Sequence, residues 1–121
     1  MTNQTTSGFD ISEFKRGYEQ WDIEALLSGY ADDVEQIQMD DAAPPSSPVV
    51  HQGKARLEQM FRHCKEHGVK ATVENGVVGT DRAAATVTCE FPGGRRIVSN
   101  TILELRDGRI VREHVTTARD E

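Results

Sequence analysis

Apolar and polar residues alternate through the second half of the chain in three consecutive runs. The runs cover residues 82–91, 95–105 and 109–118, and they are separated by Pro92-Gly93-Gly94 and Asp107-Gly108. Asp-Gly between alternating runs is a strong hairpin signal, because both turn positions favour a positive φ. The pattern therefore predicts an antiparallel meander of three strands.

The first of these runs shows the alternation most clearly. Its apolar face carries Ala85, Val87, Cys89 and Phe91. A sheet with one apolar face needs a second layer to cover it. Only the N-terminal half of the chain can supply that layer, so we expect a functional site to lie between the two halves.

Helical spacing predicts a first helix in the N-terminal half. Asp10 is placed to cap it, Glu13 completes a capping box, and Phe9 is spaced to pack on Phe14. The apolar stripe of this helix is Ile11, Phe14, Tyr18 and Trp21. These residues recur at intervals of three or four, which is typical of one buried helical face.

A second helix is predicted to start at Asp22 and to end at residues 31–33, and residues 34–39 predict a strand. The helical stripe is Ile23, Leu26, Leu27 and Tyr30. Strand alternation puts Ile37 and Met39 on one face and Gln36 and Gln38 on the other.

Residues 40–50 predict a surface loop, because three prolines within five residues exclude a helix or a central strand. His51 and Gly53 then lead into a third helix, which Gly68 ends. Its stripe is Leu57, Met60, Phe61 and Cys64. Residues 69–78 predict a further strand; we prefer a turn at residues 79–81 with a bulge at Gly76 over a turn at Asn75-Gly76.

Composition narrows the class of protein. The chain has 121 residues, of which 36% are hydrophobic and 28% charged, and its net charge is −6. Clustered lysine and arginine, which nucleic-acid binding needs, are lacking, and no apolar run approaches the ~20 residues of a membrane span. Residues 1–8 lack the features of a signal peptide, so we expect a disordered lead-in followed by a single domain over residues 9–118.

The two cysteines and the histidines point to no special chemistry. Cys64 and Cys89 lie on predicted apolar faces, so we expect buried free thiols and a reducing, cytoplasmic location. His63 and His67 are the one histidine pair at helical spacing, but charged neighbours make a solvated face the better interpretation. We therefore expect no metal site.

Four segments of the chain together resemble a known superfamily. They are Trp21-Asp22-Ile23-Glu24-Ala25-Leu26 with Tyr30-Ala31-Asp32-Asp33, Gly53-Lys54-Ala55-Arg56, Thr86-Val87-Thr88-Cys89-Glu90-Phe91, and residues 105–114. With the order of elements, they resemble the nuclear transport factor 2-like superfamily, in particular its SnoaL-like and ketosteroid isomerase-like members. The resemblance implies a cone-shaped α+β barrel, with three N-terminal helices packed in a curved, mixed and mostly antiparallel sheet. It also implies a pocket near the proline loop and homodimers through the outer sheet face.

The acids of those families do not map well onto this chain. The ketosteroid isomerase-like base on the first strand falls on Gln38 or Met39, and the first available acids are Asp40 and Asp41. The other isomerase positions, a helix-one tyrosine and a protonated aspartate, fall on Phe14 and on either Asn100 or Thr101. The final-strand carboxylate of SnoaL-like cyclases falls on Thr116. The resemblance therefore predicts the fold better than the reaction.

Glu113 is the best candidate for acid–base chemistry. Alternation puts it on one face with Val111, Val115 and Thr117, while His114 lies on the other. A carboxyl on an apolar inner face loses hydration, so its pKa rises toward the range of a general acid or base. Two alternatives remain open: Glu113 pairs with an arginine or faces solvent, or the register is reversed and His114 faces inward.

Two further catalytic candidates, Asp40 and His51, lie near the predicted mouth, although residues of these types in loops are commonly just solvated. The candidate ligand-binding residues are Phe14, Tyr18, Trp21, Tyr30, Gln38, Met39, Phe61, Val87, Cys89, Asn100, Thr101 and Val115. Aromatic stripes at helical spacing are more often part of an ordinary core.

Two functions stay open at this level. The first is a cofactor-independent isomerase, cyclase or dehydratase that acts on a small hydrophobic, oxygenated molecule. The second is a non-catalytic ligand-binding module or dimeric adaptor. Burial of Glu113 in a cavity, within hydrogen-bond reach of a second polar group, would favour the enzyme.

Overall fold

The computed structural model describes residues 8–120, which form three helices and one six-stranded sheet. The helices are α1 (Ile11–Gln20), α2 (Ile23–Ser28) and α3 (Lys54–Glu66). The strands are β1 (Tyr30–Met39), β2 (Val49–Gln52), β3 (Lys70–Val78), β4 (Arg82–Glu90), β5 (Arg96–Arg106) and β6 (Arg109–Arg119). The predicted lead-in lies outside the described residues, apart from Gly8.

The sheet is mixed and mostly antiparallel, as predicted. Its strand order is β2-β1-β6-β5-β4-β3; β1 and β6 run parallel, and every other neighbouring pair is antiparallel. Within residues 8–120 the sheet is not closed, so the α+β cone has the two edge strands β2 and β3. Helix α1 packs against β3 and α3 packs against β1.

The core lies between the helices and the predicted apolar face of the sheet. Ala85 and Val87 of β4 are only 4% and 6% exposed. The largest fully buried side chains include Tyr30, Phe61 and Leu26. The expectation that the N-terminal half covers this face is confirmed. Among residues 8–120, no helix is both long and apolar enough to cross a membrane.

The predicted turns of the meander are also confirmed. Asp107 and Gly108 have φ angles of 55° and 77°, as an Asp-Gly hairpin turn requires. The β3–β4 register shifts between Glu74 and Val77, which is the predicted bulge, and Asn75 there has a positive φ of 60°. The turn to β4 lies at Gly79, whose N–H donates to the carbonyl of Arg82.

The first two helices begin where their capping residues predict. The side chain of Asp10 accepts hydrogen bonds from the N–H groups of Ser12 and Glu13, and the ring of Phe9 lies 5.8 Å from that of Phe14. Glu13 does not complete a capping box through its side chain: both of its oxygens bind Arg16. A bidentate guanidinium pair is a stronger attraction than one backbone N–H.

The chain turns sharply between α1 and α2, as predicted. Trp21 ends α1 in the left-handed conformation, with φ 49°, and its indole N–H donates to the carbonyl of Val69 over 2.6 Å. Asp22 then caps α2 by accepting from Ala25. A Cβ on Gly17 would lie 2.8 Å from Cγ of Leu26, so only glycine lets the two helices approach this closely.

Two predicted boundaries are wrong. The second helix ends at Ser28 rather than near residue 31, and Tyr30 already pairs with Ile110 of β6. This pairing joins residues that are distant in sequence, so local spacing does not reveal it. Residues 49–52 form β2 on the edge of the sheet instead of loop. Pro48 precedes that strand, a position where proline removes no ladder hydrogen bond.

Candidate functional site

A cavity of about 180 Å³ lies between the inner face of the sheet and the helices α1 and α3. Nine of the fifteen predicted site residues line it: Tyr18, Trp21, Gln38, Phe61, Val87, Cys89, Thr101, Glu113 and Val115. The other lining residues, which were not among the predicted site residues, are Gln36, Met60, Cys64, Ile97, Ser99, Thr117 and Arg119. The lining is therefore apolar with a few polar side chains.

Glu113 points into this cavity because of the strand alternation on β6. The inward positions are Glu113, Val115, Thr117 and Arg119. Val111 was predicted to share this face, but a register shift next to Glu104 places Ile110 in the core instead, with no exposed surface. His114 lies on the outer face and pairs with Glu104. The inward orientation of Glu113, predicted from the sequence, is thus the one the structure has.

Three neutral side chains hold the carboxyl group of Glu113. The hydroxyl of Tyr30 and Nε2 of Gln36 each donate to its Oε1 over 3.1 Å, and the hydroxyl of Thr101 donates to its Oε2 over 2.7 Å. Glu113 is only 2% exposed. We call these four residues the Glu113 cluster. It brings β1, β5 and β6 together at the deep end of the cavity.

Burial raises the pKa of Glu113, while the hydrogen bonds from Thr101, Gln36 and Tyr30 oppose that rise. Desolvation disfavours the charged carboxylate more than three neutral donors stabilise it. The proton affinity of Glu113 is therefore higher than that of an exposed glutamate. This is the direction that suits a group that takes up and releases a proton near neutral pH.

The two tyrosines beside Glu113 stay protonated. Burial raises the pKa of Tyr18 and of Tyr30 well above the usual value of 10.0, and the negative charge of Glu113 adds to the effect. The hydroxyl of Tyr30 keeps its hydrogen and donates it to Glu113.

One atom of the Glu113 cluster lacks a partner. Oε1 of Gln36 is buried and accepts no hydrogen bond from any residue that the structure describes. Gln36 as a whole is 5% exposed, and it is one of the residues that line the cavity. A buried acceptor without a donor costs stability, so such atoms are rare in native proteins.

The opposite end of the cavity is charged. Arg119 lines it and binds Oδ2 of Asp40 over 2.8 Å, and the guanidinium also lies 3.4 Å from Asp41. Nε2 of Gln38 donates to the same oxygen of Asp40. We call these four residues the Arg119 cluster. The N–H of Ala42, and then the side chains of Gln38 and Arg119, lower the pKa of Asp40.

Six predicted site residues do not line the cavity: Phe14, Tyr30, Met39, Asp40, His51 and Asn100. Asn100 is exposed on the outer face, where it accepts from Thr86, because alternation turns its neighbour Thr101 inward. Met39 lies next to Gln38 and so faces outward beside Thr116. Of the two alternatives at each of these positions, Gln38 and Thr101 are the residues that line the cavity.

The remaining four residues are Phe14, Tyr30, Asp40 and His51. Phe14 belongs to the aromatic core, with its ring 5.2 Å from that of Tyr18. Tyr30 lies beneath Glu113, and Asp40 lies in the Arg119 cluster. His51 accepts from Nε of Arg56 on α3, and burial, followed by the charge of Arg56, lowers its pKa.

Both cysteines line the cavity as free thiols. Cys64 and Cys89 are half-buried rather than fully buried, because each faces this open space. Burial raises the pKa of the Cys89 thiol to about 11 and also raises that of Cys64. A thiol with a raised pKa is a poor nucleophile at neutral pH. The two cysteines therefore form part of the apolar wall of the cavity.

Three of the residues missed from the sequence had a detectable signal, and one of them is Thr117, which alternation already put on the face of Glu113. Gln36 and Gln38 were predicted to share a strand face, so the choice of Gln38 implied Gln36 as well. Arg119 continues the alternation of β6 by one step beyond the predicted strand end. The remaining missed residues line the same cavity as Glu113 because of tertiary packing, which the sequence pattern did not show. They are Met60, Cys64, Ile97 and Ser99.

Comparison with known proteins identifies the family. A protein-family model described as a SnoaL-like domain matches residues 11–113. The chain belongs to the SnoaL-like domain family. The match extends from the first residue of α1 to Glu113, so it includes both the helical layer and the sheet. A search of curated proteins gives no match.

Solved structures share this SnoaL-like fold. A ketosteroid isomerase candidate from Kribbella flavida is 19% identical with a TM-score of 0.71, and the alignment covers 92% of this chain and 76% of that one. A nuclear transport factor 2-like protein of unknown function from Mesorhizobium loti is 19% identical, with a TM-score of 0.72 and coverage of 89% and 87%. An LEH-like epoxide hydrolase from M. tuberculosis is 12% identical, with a TM-score of 0.65 and coverage of 89% and 79%. The superfamily resemblance is confirmed, and at these identities the likeness concerns the fold alone.

The SnoaL-like domain described here has its buried acid at a different place from the one the resemblance implied. Thr116, where a cyclase carboxylate was expected, is exposed on the outer face of β6. Glu113 supplies a carboxyl on the inner face of the same strand. The buried carboxyl thus lies on the strand that the resemblance indicated, but at a different residue.

Proposed function

We propose that the cavity binds a small, mostly apolar, oxygenated molecule and that Glu113 exchanges a proton with it. The observation that carries this proposal is the burial of Glu113 against the cavity, with a raised pKa and three neutral hydrogen-bond donors. The chemistry would be that of a cofactor-independent isomerase, cyclase or dehydratase. Each of these reactions moves protons without needing a redox group.

Glu113 is suited to either direction of proton transfer. In its ionised form it is a general base whose charge is held by Tyr30, Gln36 and Thr101. In its protonated form it is a general acid, because burial makes that form easier to populate than in an exposed glutamate. The names of two structural neighbours, an isomerase candidate and an epoxide hydrolase, belong to the same broad class of reactions on small organic molecules.

A second candidate function is ligand binding without catalysis. The observation that favours it is that three protein side chains already donate hydrogen bonds to the carboxyl of Glu113. In this case the Glu113 cluster would orient a ligand and stabilise the fold, and no proton would move.

We also propose a homodimer that forms through the outer face of the sheet, in a cytoplasmic protein. The outer face of β5 exposes Val98 and Ile102, which are 37% and 50% exposed. The two free thiols support the cytoplasmic part of this proposal, because a reducing compartment preserves free thiols. Sedimentation velocity of the wild type and of Ile102→Glu tests the dimer, and an unchanged sedimentation coefficient contradicts it.

The test of the enzyme proposal is a screen for turnover. Monocyclic ketones, alcohols, epoxides and enones are incubated with the protein in D₂O, and NMR detects deuterium uptake or product. Glu113→Gln keeps the size of the side chain but removes its acid–base function, so we expect it to abolish any activity found. Glu90→Gln is the matched control, because Glu90 is exposed at the end of β4 in the same sheet.

The outcomes separate the two candidates. Activity that Glu113→Gln loses and Glu90→Gln keeps supports proton transfer by Glu113. Activity that Glu113→Gln retains contradicts it. A ligand that saturates the cavity in both proteins without any turnover supports the binding module instead.

A further inference from the structure

Two hydroxyl groups lie side by side on the wall of the cavity. Ser99 of β5 and Thr117 of β6 are directly opposite each other in the sheet, and their side-chain oxygens are 2.9 Å apart. Both residues are half-buried and line the cavity. Thr117 lies on the inner face of β6 between Glu113 and Arg119, so the Ser99–Thr117 pair occupies the wall between the two clusters.

The Ser99–Thr117 pair has one hydrogen that the protein does not use. Each hydroxyl carries one hydrogen and two lone pairs. The bond between the two oxygens takes up one of these hydrogens, whichever residue donates it. Among residues 8–120, no further group forms a hydrogen bond with either hydroxyl. The second hydrogen is therefore available to a molecule in the cavity.

The surroundings of the pair are apolar. The neighbouring wall is formed by Val87, Cys89 and Val115, together with Ile97 on the same strand as Ser99. A hydrogen bond is stronger in such surroundings than in water. A ligand that places only carbon here leaves the hydroxyl hydrogen without a partner, which costs free energy. A ligand that places an acceptor oxygen here avoids this cost.

The charges nearby favour a neutral oxygen. Arg119 is the next inward residue on β6, but its guanidinium already pairs with Asp40 over 2.8 Å and lies 3.4 Å from Asp41. Two carboxylates thus stand against one positive charge at this end of the cavity. A carboxylate on the ligand would be repelled by the surplus negative charge, whereas a carbonyl or ether oxygen would not.

The distance from the pair to the Glu113 cluster suits a ligand with one ring. Thr101 belongs to that cluster, and Ser99 is the next residue of β5 on the same face. Two residues of a strand span about 7 Å. An engineered apolar cavity of ~150 Å³ holds one benzene molecule, and the present cavity measures about 180 Å³. A single six-membered ring therefore extends from the pair toward Glu113.

We infer that the Ser99–Thr117 pair is a ligand-binding subsite, which donates one hydrogen bond to a neutral acceptor oxygen of a one-ring molecule. The inference rests on the proposed function, since it names the class of ligand and its orientation in the same cavity. The oxygen lies at the pair, and the ring extends toward Glu113. The pair holds the ligand and takes no part in proton transfer.

The experiment compares two probes, cyclohexanone and methylenecyclohexane, which have the same ring and differ in an exocyclic oxygen or CH₂ group. NMR titration measures their affinities for the wild type and for the double variant Ser99→Ala/Thr117→Val. We expect the double variant to bind cyclohexanone about 5- to 10-fold more weakly, which corresponds to one hydrogen bond lost. Its affinity for methylenecyclohexane should not fall, because this probe accepts no hydrogen bond.

Thr116→Val is the matched control. It removes a threonine hydroxyl from the same strand, but Thr116 is exposed on the outer face and should leave both affinities unchanged. Thermal unfolding checks that the variants are folded. If the double variant is not, nuclear Overhauser contacts in the wild type decide. The protons next to the carbonyl of bound cyclohexanone should contact the methyl group of Thr117, and their lack of contact would overturn the inference.

Unchanged affinity of the double variant for cyclohexanone would overturn the inference, and so would an equal loss for both probes, which is the result of a purely structural role. Tighter binding of cyclohexanecarboxylate than of cyclohexanone would overturn the neutral class of ligand. All three results leave the proposed function intact. Lack of binding by any ring would reject the inference and the small-molecule cavity together. The proposed proton transfer fails separately, when Glu113→Gln retains turnover.

Discussion

The two ends of the cavity hold carboxyl groups of opposite character. In the Glu113 cluster the carboxyl is buried among neutral donors, and burial raises its pKa. In the Arg119 cluster the carboxyl of Asp40 accepts a backbone N–H and faces a guanidinium, and its pKa is lowered. The same functional group thus holds a proton more readily at one end and its negative charge more readily at the other. What differs is the hydration of the carboxyl and the charge of its partners.

The largest expected effect is on activity, and it compares the two carboxyls directly. Glu113→Gln should lower kcat/KM of a substrate found in the screen by about 100-fold or more, the usual contribution of a general acid or base. Asp40→Asn should lower it less than about tenfold, because an ionised, paired aspartate is a poor proton donor. Steady-state kinetics of both variants measure this, and equal losses would remove the distinction between the two ends.

The next effect is on stability. Tyr30→Phe removes a buried donor to Glu113 and should lower the free energy of unfolding by about 1–3 kcal/mol. Arg119→Ala breaks a half-exposed ion pair and should cost less than about 1 kcal/mol. Urea denaturation of both variants gives the two values. A larger loss for Arg119→Ala would place the stabilising interactions at the charged end instead.

The pH dependence of stability should have opposite signs for the two carboxyls. Glu113 has a folded-state pKa above its ordinary value of 4.5, so its contribution is full below that value and is lost as pH rises through the folded pKa. Asp40 has a folded-state pKa below its ordinary 3.8, so its contribution is present above that value and is lost as pH falls through the folded pKa.

Urea denaturation across a series of pH values tests both signs. Glu113→Gln should remove the decline of stability toward higher pH, and Asp40→Asn should remove part of the decline in acid. If the stability of Glu113→Gln declines toward higher pH as much as that of the wild type, another group titrates in that pH range.

The smallest effect concerns the pKa of Glu113 itself. Thr101→Val removes the hydrogen bond that opposes the burial effect most strongly, so it should raise this pKa further. Thr116→Val makes the same change on the outer face of β6 and should leave the pKa where it is. ¹³C NMR titration of the Glu113 carboxyl distinguishes the two. A lower pKa in Thr101→Val would contradict the assigned role of the hydroxyl.

Much of this arrangement was predictable, because it depends on local patterns. The alternation of β6 was sufficient to turn Glu113 inward and His114 outward. Asp107-Gly108 was sufficient to locate a hairpin, since few residues adopt its φ angles. The inward orientation of Gln36 was implied by that of Gln38. Predictions failed where a contact joins distant segments, as for Tyr30, whose spacing suits a helix but which pairs with β6.

The sequence by itself determined the layers, the helix caps, the turns and the faces of the meander. Each of these depends on residues a few positions apart, and their geometry follows from backbone sterics and side-chain periodicity. Only the tertiary structure decided which polar groups meet inside. The Glu113 cluster joins residues 30, 36, 101 and 113, and the register of β1 on β6 and of β5 on β6 brings them together. A one-residue shift of either register would turn those side chains to the opposite face and separate the cluster.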